Sequence, residues 1–128
     1  SKPCPLFVPL AEEGWEDHPV TKLVIKEYLT PLLKNEIDTL VLGCTHYPIL
    51  KNALADFVGK DIKLVDSAKA VTEQLLKVLE KTELNTPGSD KFYVSDNEDK
   101  FHLIASRILD KKIETLINVK LGESWYIS

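Results

Sequence analysis

The sequence has few of the residues that mark several common classes of protein. Its 128 residues include two cysteines and no methionine. The cysteines, Cys4 and Cys44, form no CxxC pair, so their spacing favours neither a disulfide framework nor a zinc ribbon and is typical of a reducing, cytoplasmic setting. No apolar run approaches the roughly 18 residues of a membrane helix, and the first residues do not resemble a signal peptide. We therefore expect no membrane association.

The chain also lacks a large excess of charge of either sign. Its 16 Lys+Arg and 20 Asp+Glu give a formal net charge of -4. Proteins that bind nucleic acid usually present a basic face, so we expect no nucleic-acid partner. The composition, 44% hydrophobic and 28% charged, is that of an ordinary globular domain. Because the chain has no methionine and opens almost directly into an apolar run, we expect it to be a piece of a longer protein.

Short apolar runs alternate with segments of helical periodicity. Residues 5–10 are apolar and are followed by Glu12 and Gly14, which predicts a buried strand. Apolar residues recur every three or four positions in residues 19–34, which predicts a helix. The other expected elements are strands at 39–43, 63–66 and 92–94, helices at 48–58, 68–81 and 101–109, and an extended segment at 113–121. Because parallel strands need crossover connections, this order predicts an α/β fold with a mostly parallel sheet and helices on both faces.

Polar side chains follow each predicted strand. Ligands of open α/β sheets bind at the carboxyl ends of the strands, so this position alone selects candidates. They are Glu12 and Glu13, Cys44, Thr45 and His46, Asp66 and Ser67, and Ser95 and Asp96. Ser67 and Asp96 are also of the types that helix caps prefer, and for these two we favour capping over function.

The turn at residues 43–48, Gly-Cys-Thr-His-Tyr-Pro, is the strongest candidate for chemistry. A cysteine between a buried strand and a helix N-terminus lies where the helix dipole and unpaired N–H groups stabilise a thiolate. Gly43 is expected to allow a tight exit from the strand, and Thr45 adds a hydroxyl for an anionic ligand group. His46 adds an imidazole, the side chain that exchanges protons near neutral pH. The alternative is that Cys44 is a buried small hydrophobe and His46 a surface residue.

Three uses of an activated Cys44 remain open: covalent nucleophile, redox thiol and general acid/base. Redox chemistry is disfavoured because no resolving cysteine lies nearby in sequence. A cysteine hydrolase usually takes its base from a distant part of the chain, whereas His46 is two residues away. Acid/base catalysis suits a thiol that exchanges a proton with a carbon acid.

The other cysteine and histidines are expected to be structural. Cys4 falls at the amino end of the first predicted strand, the wrong edge of the sheet for a ligand. His18 and His102 lie in or beside predicted helices and are interpreted as solvated or capping residues. The spacing of Cys44 and His46 does not indicate a zinc site, so no metal is expected.

Residues 42–48, together with 4–14 and 65–67, resemble the carboxyl-terminal half of bacterial glutamate racemase. Residues 91–109 look like that family's Phe-Tyr-x-Ser/Thr-Asp segment and its following helix, so the resemblance covers most of the chain. Aspartate racemases share the Gly-Cys-Thr turn but usually carry Glu where this chain has His46. The apolar run near the start of the chain points to the glutamate enzyme.

This resemblance implies a flavodoxin-like α/β fold and a cofactor-independent enzyme that interconverts L- and D-glutamate for cell-wall peptidoglycan. In that family two cysteines on opposite faces of the substrate act as thiolate base and thiol acid. Cys44 matches the second cysteine, which takes the proton from the L-enantiomer. Thr45 matches a substrate-binding residue. His46 matches a residue that contacts the substrate and assists the second cysteine, and Glu12 matches a carboxylate near the same site.

The chain departs from the family in what it lacks. The family's first cysteine, in an Asn-Thr-containing loop, and its Asp-Ser-Gly-x-Gly-Gly turn both belong to the amino-terminal half, and neither is present. We therefore expect the missing half to be a partner and this chain alone to be inactive. Residues 82–91 are the one plausible linker. We expect residues 1–86 to form one α/β domain and residues 87–128 to be part of a second, incomplete domain.

Two other classes of function are kept beside the racemase. The chain could be a non-catalytic α/β module that binds an anion or amino acid, or it could be a cysteine hydrolase. An aspartate racemase relative is the nearest alternative enzyme. Because an acidic chain of this size with exposed core residues tends to self-associate, a homodimer is also considered.

Overall fold

A computed structural model describes residues 1–80, 88–120 and 122. The chain divides into two compact units, Ser1–Glu83 and Leu84–Ser128. The predicted boundary after residue 86 and most of the predicted linker lie outside the described residues, so the boundary remains a prediction. In the described part of the chain, no helix combines the length and apolar character needed to cross a bilayer.

The first unit alternates helices and strands. Its helices are α1 (Phe7–Glu12), α2 (Pro19–Leu33), α3 (Lys51–Val58) and α4 (Ser67–Leu79). Its strands are β1 (Thr39–Leu42) and β2 (Lys63–Asp66), and a 3-10 turn at Tyr47–Leu50 precedes α3. The two strands pair in parallel, with Thr39 opposite Lys63 and Leu42 opposite Asp66. The crossover through α3 makes this parallel pairing geometrically possible.

The second unit repeats the pattern on a smaller scale. It contains β3 (Phe92–Val94), α5 (Glu98–Leu109) and β4 (Leu116–Asn118). The strands β3 and β4 are parallel, with α5 as the crossover. His102 of α5 makes a 3.1 Å hydrogen bond through Nε2 to the carbonyl of Ile113, which is buried. The α/β class with parallel strands is thus confirmed, but the described strands form two separate pairs and not one continuous sheet.

The first predicted strand is wrong: residues 7–12 form the helix α1. Phe7, Leu10 and Ala11 are three and four positions apart, so they share one helix face, and all three are buried. Pro9 is the third residue of the helix, where the backbone N–H has no intrahelical partner, so proline costs no hydrogen bond there. The sheet-edge argument for Glu12 and Glu13 therefore fails, as does the argument that placed Cys4 at the wrong edge.

The core of the first unit lies among α1, α2, β1 and α3. Phe7, Ile25, Leu50 and Leu54 are its largest fully buried apolar side chains. The ring of Phe7 makes edge contacts with the rings of Tyr28 and Tyr47, and the distances between ring centroids are 5.4 and 5.2 Å. Burial of several large side chains, each contributing roughly 1.5–3 kcal/mol, fixes α1 and the turn after β1 against one another.

Caps define where the other helices begin and end. His18 caps α2, since its Nδ1 accepts the Val20 N–H at 3.2 Å, which confirms a capping role for this histidine. The cap of α4 is Asp66 and not the predicted Ser67, which is the first helical residue. The cap of α5 is Asn97, which follows the predicted cap Asp96 and accepts the Lys100 N–H at 3.0 Å.

Candidate active site

The turn after β1 holds three of the predicted site residues. The carbonyl of Cys44 accepts the N–H of Tyr47 at 3.3 Å, and the carbonyl of His46 accepts the N–H of Ile49 at 3.0 Å. Cys44 and His46 are half-buried and Thr45 is exposed. These bonds close the turn and leave all three side chains accessible at the carboxyl end of β1.

Gly43 has a smaller role than the sequence predicts. The glycines with a positive φ among the described residues are Gly14 and Gly59. A Cβ added to Gly43 would meet no atom within 4 Å. The exit from β1 therefore does not depend on glycine, and the expected tight exit at this position is wrong.

His46 is the centre of the polar cluster in this turn. Its Nε2 lies 3.4 Å from Oε1 of Glu12, which is at the last residue of α1. Its Nδ1 lies 3.5 Å from the hydroxyl of Thr45. When Nε2–H donates to Glu12 in the neutral ring, Nδ1 is left to accept a proton from a neighbouring donor. This arrangement orients the imidazole, with Nε2 as the hydrogen-bond donor and Nδ1 as the acceptor.

Cys44 belongs to the same turn but is not hydrogen-bonded to His46 in the part of the chain that the structure describes. It is one of two free cysteines, and unlike Cys4 it is only half-buried. The interpretation of Cys44 as a buried small hydrophobe is therefore wrong. Its reactivity remains a prediction.

Cys4 is a core residue with a backbone-bonded thiol. It is 4% exposed, and its Sγ donates to the carbonyl of Lys2 at 3.5 Å. Burial raises the pKa of the Cys4 thiol, and the nearby positive charge of Lys2 only partly opposes this shift. The expected structural role is consistent with this burial, although the reason given for it was wrong.

The other candidates of the first unit, Glu13, Asp66 and Ser67, do not belong to the cluster of Glu12, Thr45 and His46. Glu13 lies at the end of α1 and lines a separate cavity of about 240 Å³ with Trp15 and other residues. Ser95 and Asp96 belong to the second unit, where Asp96 accepts the N–H of Asn97 at 2.9 Å. We therefore assign Asp96 a local role at the start of α5.

Asp66 follows β2 and is occupied by structural contacts. It is 5% exposed, accepts from Lys51 Nζ at 2.6 Å and accepts the Lys69 N–H at 2.8 Å. The hydrogen bond from Lys51 and then that from the Lys69 backbone lower the pKa of Asp66. The carboxylate therefore caps α4 and binds α3 to it, and Ser67 takes neither role.

Two residues of this region were missed by the sequence analysis. Tyr47 and Lys51 make contacts to Cys4 and Asp66, which lie 43 and 15 positions away. No local pattern predicts these pairs, because each depends on how α1, α3 and β2 pack. In the part of the chain that is described, no group of three His, Cys, Asp or Glu side chains could hold a metal ion.

Comparison with known proteins gives glutamate racemases as relatives of this chain. No family model matches the chain. The glutamate racemase of Syntrophus aciditrophicus is 47% identical over 125 residues, which is 94% of this chain and 46% of that protein. That of Neisseria meningitidis serogroup A is 47% identical over 123 residues, 93% of this chain and 45% of the relative. The chain therefore matches one half of a glutamate racemase.

Solved glutamate racemases have the same fold. The structure of the Francisella tularensis glutamate racemase in complex with D-glutamate matches this chain with a TM-score of 0.80 and 37% sequence identity. The match covers 97% of this chain and 48% of the Francisella tularensis chain. The Thermus thermophilus glutamate racemase in complex with beta-chloro-D-alanine has a TM-score of 0.78 and 37% identity, over 94% of this chain and 47% of that one. The resemblance is thus confirmed, and the chain spans about half the length of the curated relatives it matches.

Proposed function

We propose that this chain is the carboxyl-terminal half of a cofactor-independent glutamate racemase, and that Cys44 is its base for L-glutamate. The observation that carries the proposal is the accessible Cys44 turn beside the Glu12–His46 pair, in a chain that is 47% identical to a glutamate racemase over 125 residues. A cytoplasmic location, which the two unpaired cysteines favour, belongs to the same proposal.

Cys44 acts as a thiolate in the proposed first step. It takes the α-proton of L-glutamate, so an S–H bond forms while the C–H electron pair stays on the substrate as a carbanion. A thiol on the opposite face, supplied by the amino-terminal half, then gives its proton to the same carbon and becomes a thiolate. The reverse sequence converts D-glutamate to L-glutamate. General acid/base groups of this kind each contribute about 10²–10⁴-fold in rate.

The side chains beside Cys44 bind the substrate or assist the proton transfer. Thr45 is exposed and offers its hydroxyl to a carboxylate of the substrate. His46 contacts the substrate or assists Cys44 through Nδ1, and Glu12 lies 3.4 Å from Nε2, so that the imidazole keeps one orientation. The first unit also has a cavity of about 740 Å³. Gly43 and Tyr47 line this cavity, whereas Cys44, Thr45 and His46 do not.

Two observations support an incomplete site in this chain. The second cysteine, Cys4, is only 4% exposed and its Sγ donates to the Lys2 carbonyl, so it is not placed as a second catalytic thiol beside the Cys44 turn. The apolar stripe of α4 is exposed: Val71, Leu75 and Leu76 are 65%, 52% and 54% accessible. Apolar patches of this kind usually mark an interface. We assign this face to the amino-terminal half of the enzyme, with self-association as a homodimer the competing outcome when that half is absent.

A fusion protein tests the proposal. The matching half of the Syntrophus aciditrophicus glutamate racemase is replaced by this chain, and racemisation of L- and D-glutamate is followed by circular dichroism. We expect the fusion to racemise glutamate in both directions and the isolated chain to show no turnover. A folded fusion without activity contradicts the racemase, and turnover by the isolated chain at the rate of an intact racemase contradicts the incomplete site.

The same fusion distinguishes the alternative functions. A non-catalytic module would bind glutamate in a calorimetric titration without exchanging its α-proton for deuterium in D2O. An aspartate racemase relative would act on aspartate in preference to glutamate. A cysteine hydrolase would be acylated at Cys44 by an activated ester.

A further inference from the structure

The side chain of Tyr47 connects the Cys44 turn to the residues that precede α1. Its hydroxyl donates to the carbonyl of Cys4 at 3.2 Å and accepts the N–H of Cys4 at 3.3 Å. The two residues are 43 positions apart, so this contact is tertiary and not part of any local turn. A single hydroxyl thus uses both its donor and its acceptor capacity on one backbone residue.

Tyr47 is also part of the turn that carries the proposed catalytic groups. Its own N–H closes the turn by donating to the carbonyl of Cys44, and it follows His46 directly in sequence. Its ring packs edge-on against Phe7 with the centroids 5.2 Å apart, and Phe7 is 1% exposed. The pKa of the Tyr47 hydroxyl is raised, mainly by burial. The hydroxyl therefore keeps the proton that it donates to the Cys4 carbonyl.

The helix α1 is therefore bound to the turn near both of its ends. Tyr47 holds Cys4 just before the helix, and Glu12, its last residue, meets His46. The helix has six residues, so at about 1.5 Å per residue these anchor points are close enough to move as one rigid body. A shift at the Cys4 end would be carried to the carboxylate of Glu12.

We propose that Tyr47 is a positioning residue, whose hydroxyl fixes α1 on the Cys44 turn and so keeps Glu12 against the His46 ring. The inference rests on the proposed racemase for its consequence in catalysis, but the contact itself is tested without measuring catalysis. Loss of the hydroxyl lets α1 shift, and the imidazole loses its fixed orientation.

The test reads the ring of His46 directly. The chain has three histidines, so their ring nitrogens, labelled with 15N, are assigned by single replacement. Ring 15N shifts report the tautomer and hydrogen bonding of an imidazole. The variants are Tyr47→Phe, which keeps the ring and removes the hydroxyl, Glu12→Gln, and the two combined. Tyr28→Phe is the matched control, since Tyr28 packs on the same Phe7 ring at 5.4 Å.

We expect Tyr47→Phe to move the His46 ring signals in the same direction as Glu12→Gln. Because residues in one network do not act additively, the double variant should move them little further than either single variant. Tyr28→Phe should leave them unchanged. His46 signals in a folded Tyr47→Phe chain that equal those of the control would overturn the inference, as would two shifts that simply add.

A rescue and a kinetic measurement complete the design. Tyr47→4-aminophenylalanine keeps a donor at the same place, so we expect it to restore the His46 signals; if the phenylalanine variant does not fold, failure of this rescue contradicts the inference. In the fusion enzyme, Tyr47→Phe should lower kcat about tenfold with little change in KM, the effect of misplaced groups. An inactive fusion with shifted His46 signals would contradict the racemase and not the positioning role.

Discussion

The carboxyl ends of β1 and β2 lie side by side, yet they have different roles. Leu42 and Asp66 are opposite each other in the parallel register. Beyond β1 the chain forms an open turn in which Cys44 and His46 are half-buried. Beyond β2 the carboxylate of Asp66 is 5% exposed and already bound by Lys51 and the Lys69 N–H. A polar residue at a strand's end is thus a candidate site only when its hydrogen bonds are still available.

The cause of this difference is the length of the connection. β2 ends at Asp66 and α4 begins at Ser67, so the last strand residue must serve as the helix cap. β1 ends at Leu42 and the next helical turn begins at Tyr47. His46 is the N-cap of this turn but makes no side-chain capping hydrogen bond, so the side chains between the strand and the turn can face a ligand. Four substitutions in the fusion enzyme test this contrast between the two strand ends.

Replacing Cys44 should have the largest effect. Cys44→Ser removes the proposed base, and we expect about a 10²–10⁴-fold loss of turnover, mainly in the direction that starts from L-glutamate. Cys4→Ser is the control, because the Cys4 thiol is buried and bonded to the Lys2 carbonyl, while the contact of Cys4 with Tyr47 is made by its backbone, which the substitution keeps. Turnover rates in both directions measure the effect. Equal losses for the two variants would contradict the assignment of Cys44.

Replacing His46 should have the second-largest effect. His46→Asn keeps a polar side chain but loses the imidazole that Glu12 contacts, and we expect roughly a 10–100-fold fall in kcat. His18→Asn is the comparison, since His18 caps α2 at a different place. Steady-state kinetics with each enantiomer provide the measurement. A kcat within twofold of the parent would exclude an acid/base role for His46.

Replacing Thr45 should affect binding more than turnover. Thr45→Val is similar in shape but lacks the hydroxyl, so we expect KM for glutamate to rise about tenfold, because a hydrogen bond from an exposed residue to a charged group lies near the lower value of about 1.5 kcal/mol. The exposed Thr30→Val, whose hydroxyl donates to the Lys26 carbonyl within α2, is the matched control. Initial rates across substrate concentrations separate KM from kcat. An unchanged KM contradicts the binding role.

Replacing Asp66 should leave activity nearly unchanged but lower stability. The pKa of Asp66 is lowered in the folded chain, so its carboxylate stabilises the fold. This stabilisation is present above the unfolded pKa of about 4 and is lost as pH falls through the lowered pKa of the folded chain. Asp66→Asn should therefore lower the melting temperature at pH 7 and flatten its dependence on pH between about 5 and 2. Asp90→Asn, an exposed carboxylate, is the control.

Thermal unfolding across this pH range, followed by circular dichroism, measures the stability change. A parallel kinetic assay measures glutamate turnover. A melting temperature that keeps the parent's pH dependence contradicts the structural role of Asp66. A loss of turnover as large as that of Cys44→Ser would remove the contrast between the two strand ends.

Helices and strands could be predicted where the hydrophobic pattern extends over enough residues to show its period. The helix at 19–34 could be predicted because several apolar residues recur at helical spacing, and α2 covers Pro19–Leu33. The run at 5–10 is too short for its period to be read, and its continuous apolar character predicts a strand. In the structure Phe7 and Ala11 share one buried face of a helix. The sheet-edge argument for Glu12 is therefore wrong, whereas the resemblance also placed this carboxylate near the site, and it lies 3.4 Å from His46.

The amino-acid sequence alone predicts the alternation of helices and strands from residue 19 onward, the Cys44 turn and the resemblance to glutamate racemase, because periodicity and short motifs are local properties of the chain. Which polar side chains keep hydrogen-bonding groups available for a ligand depends instead on tertiary packing. The contacts of Tyr47 with Cys4 and of Lys51 with Asp66 join residues 43 and 15 positions apart. Such pairs form only when helices pack on the strands, since packing alone sets the distance between residues remote in sequence.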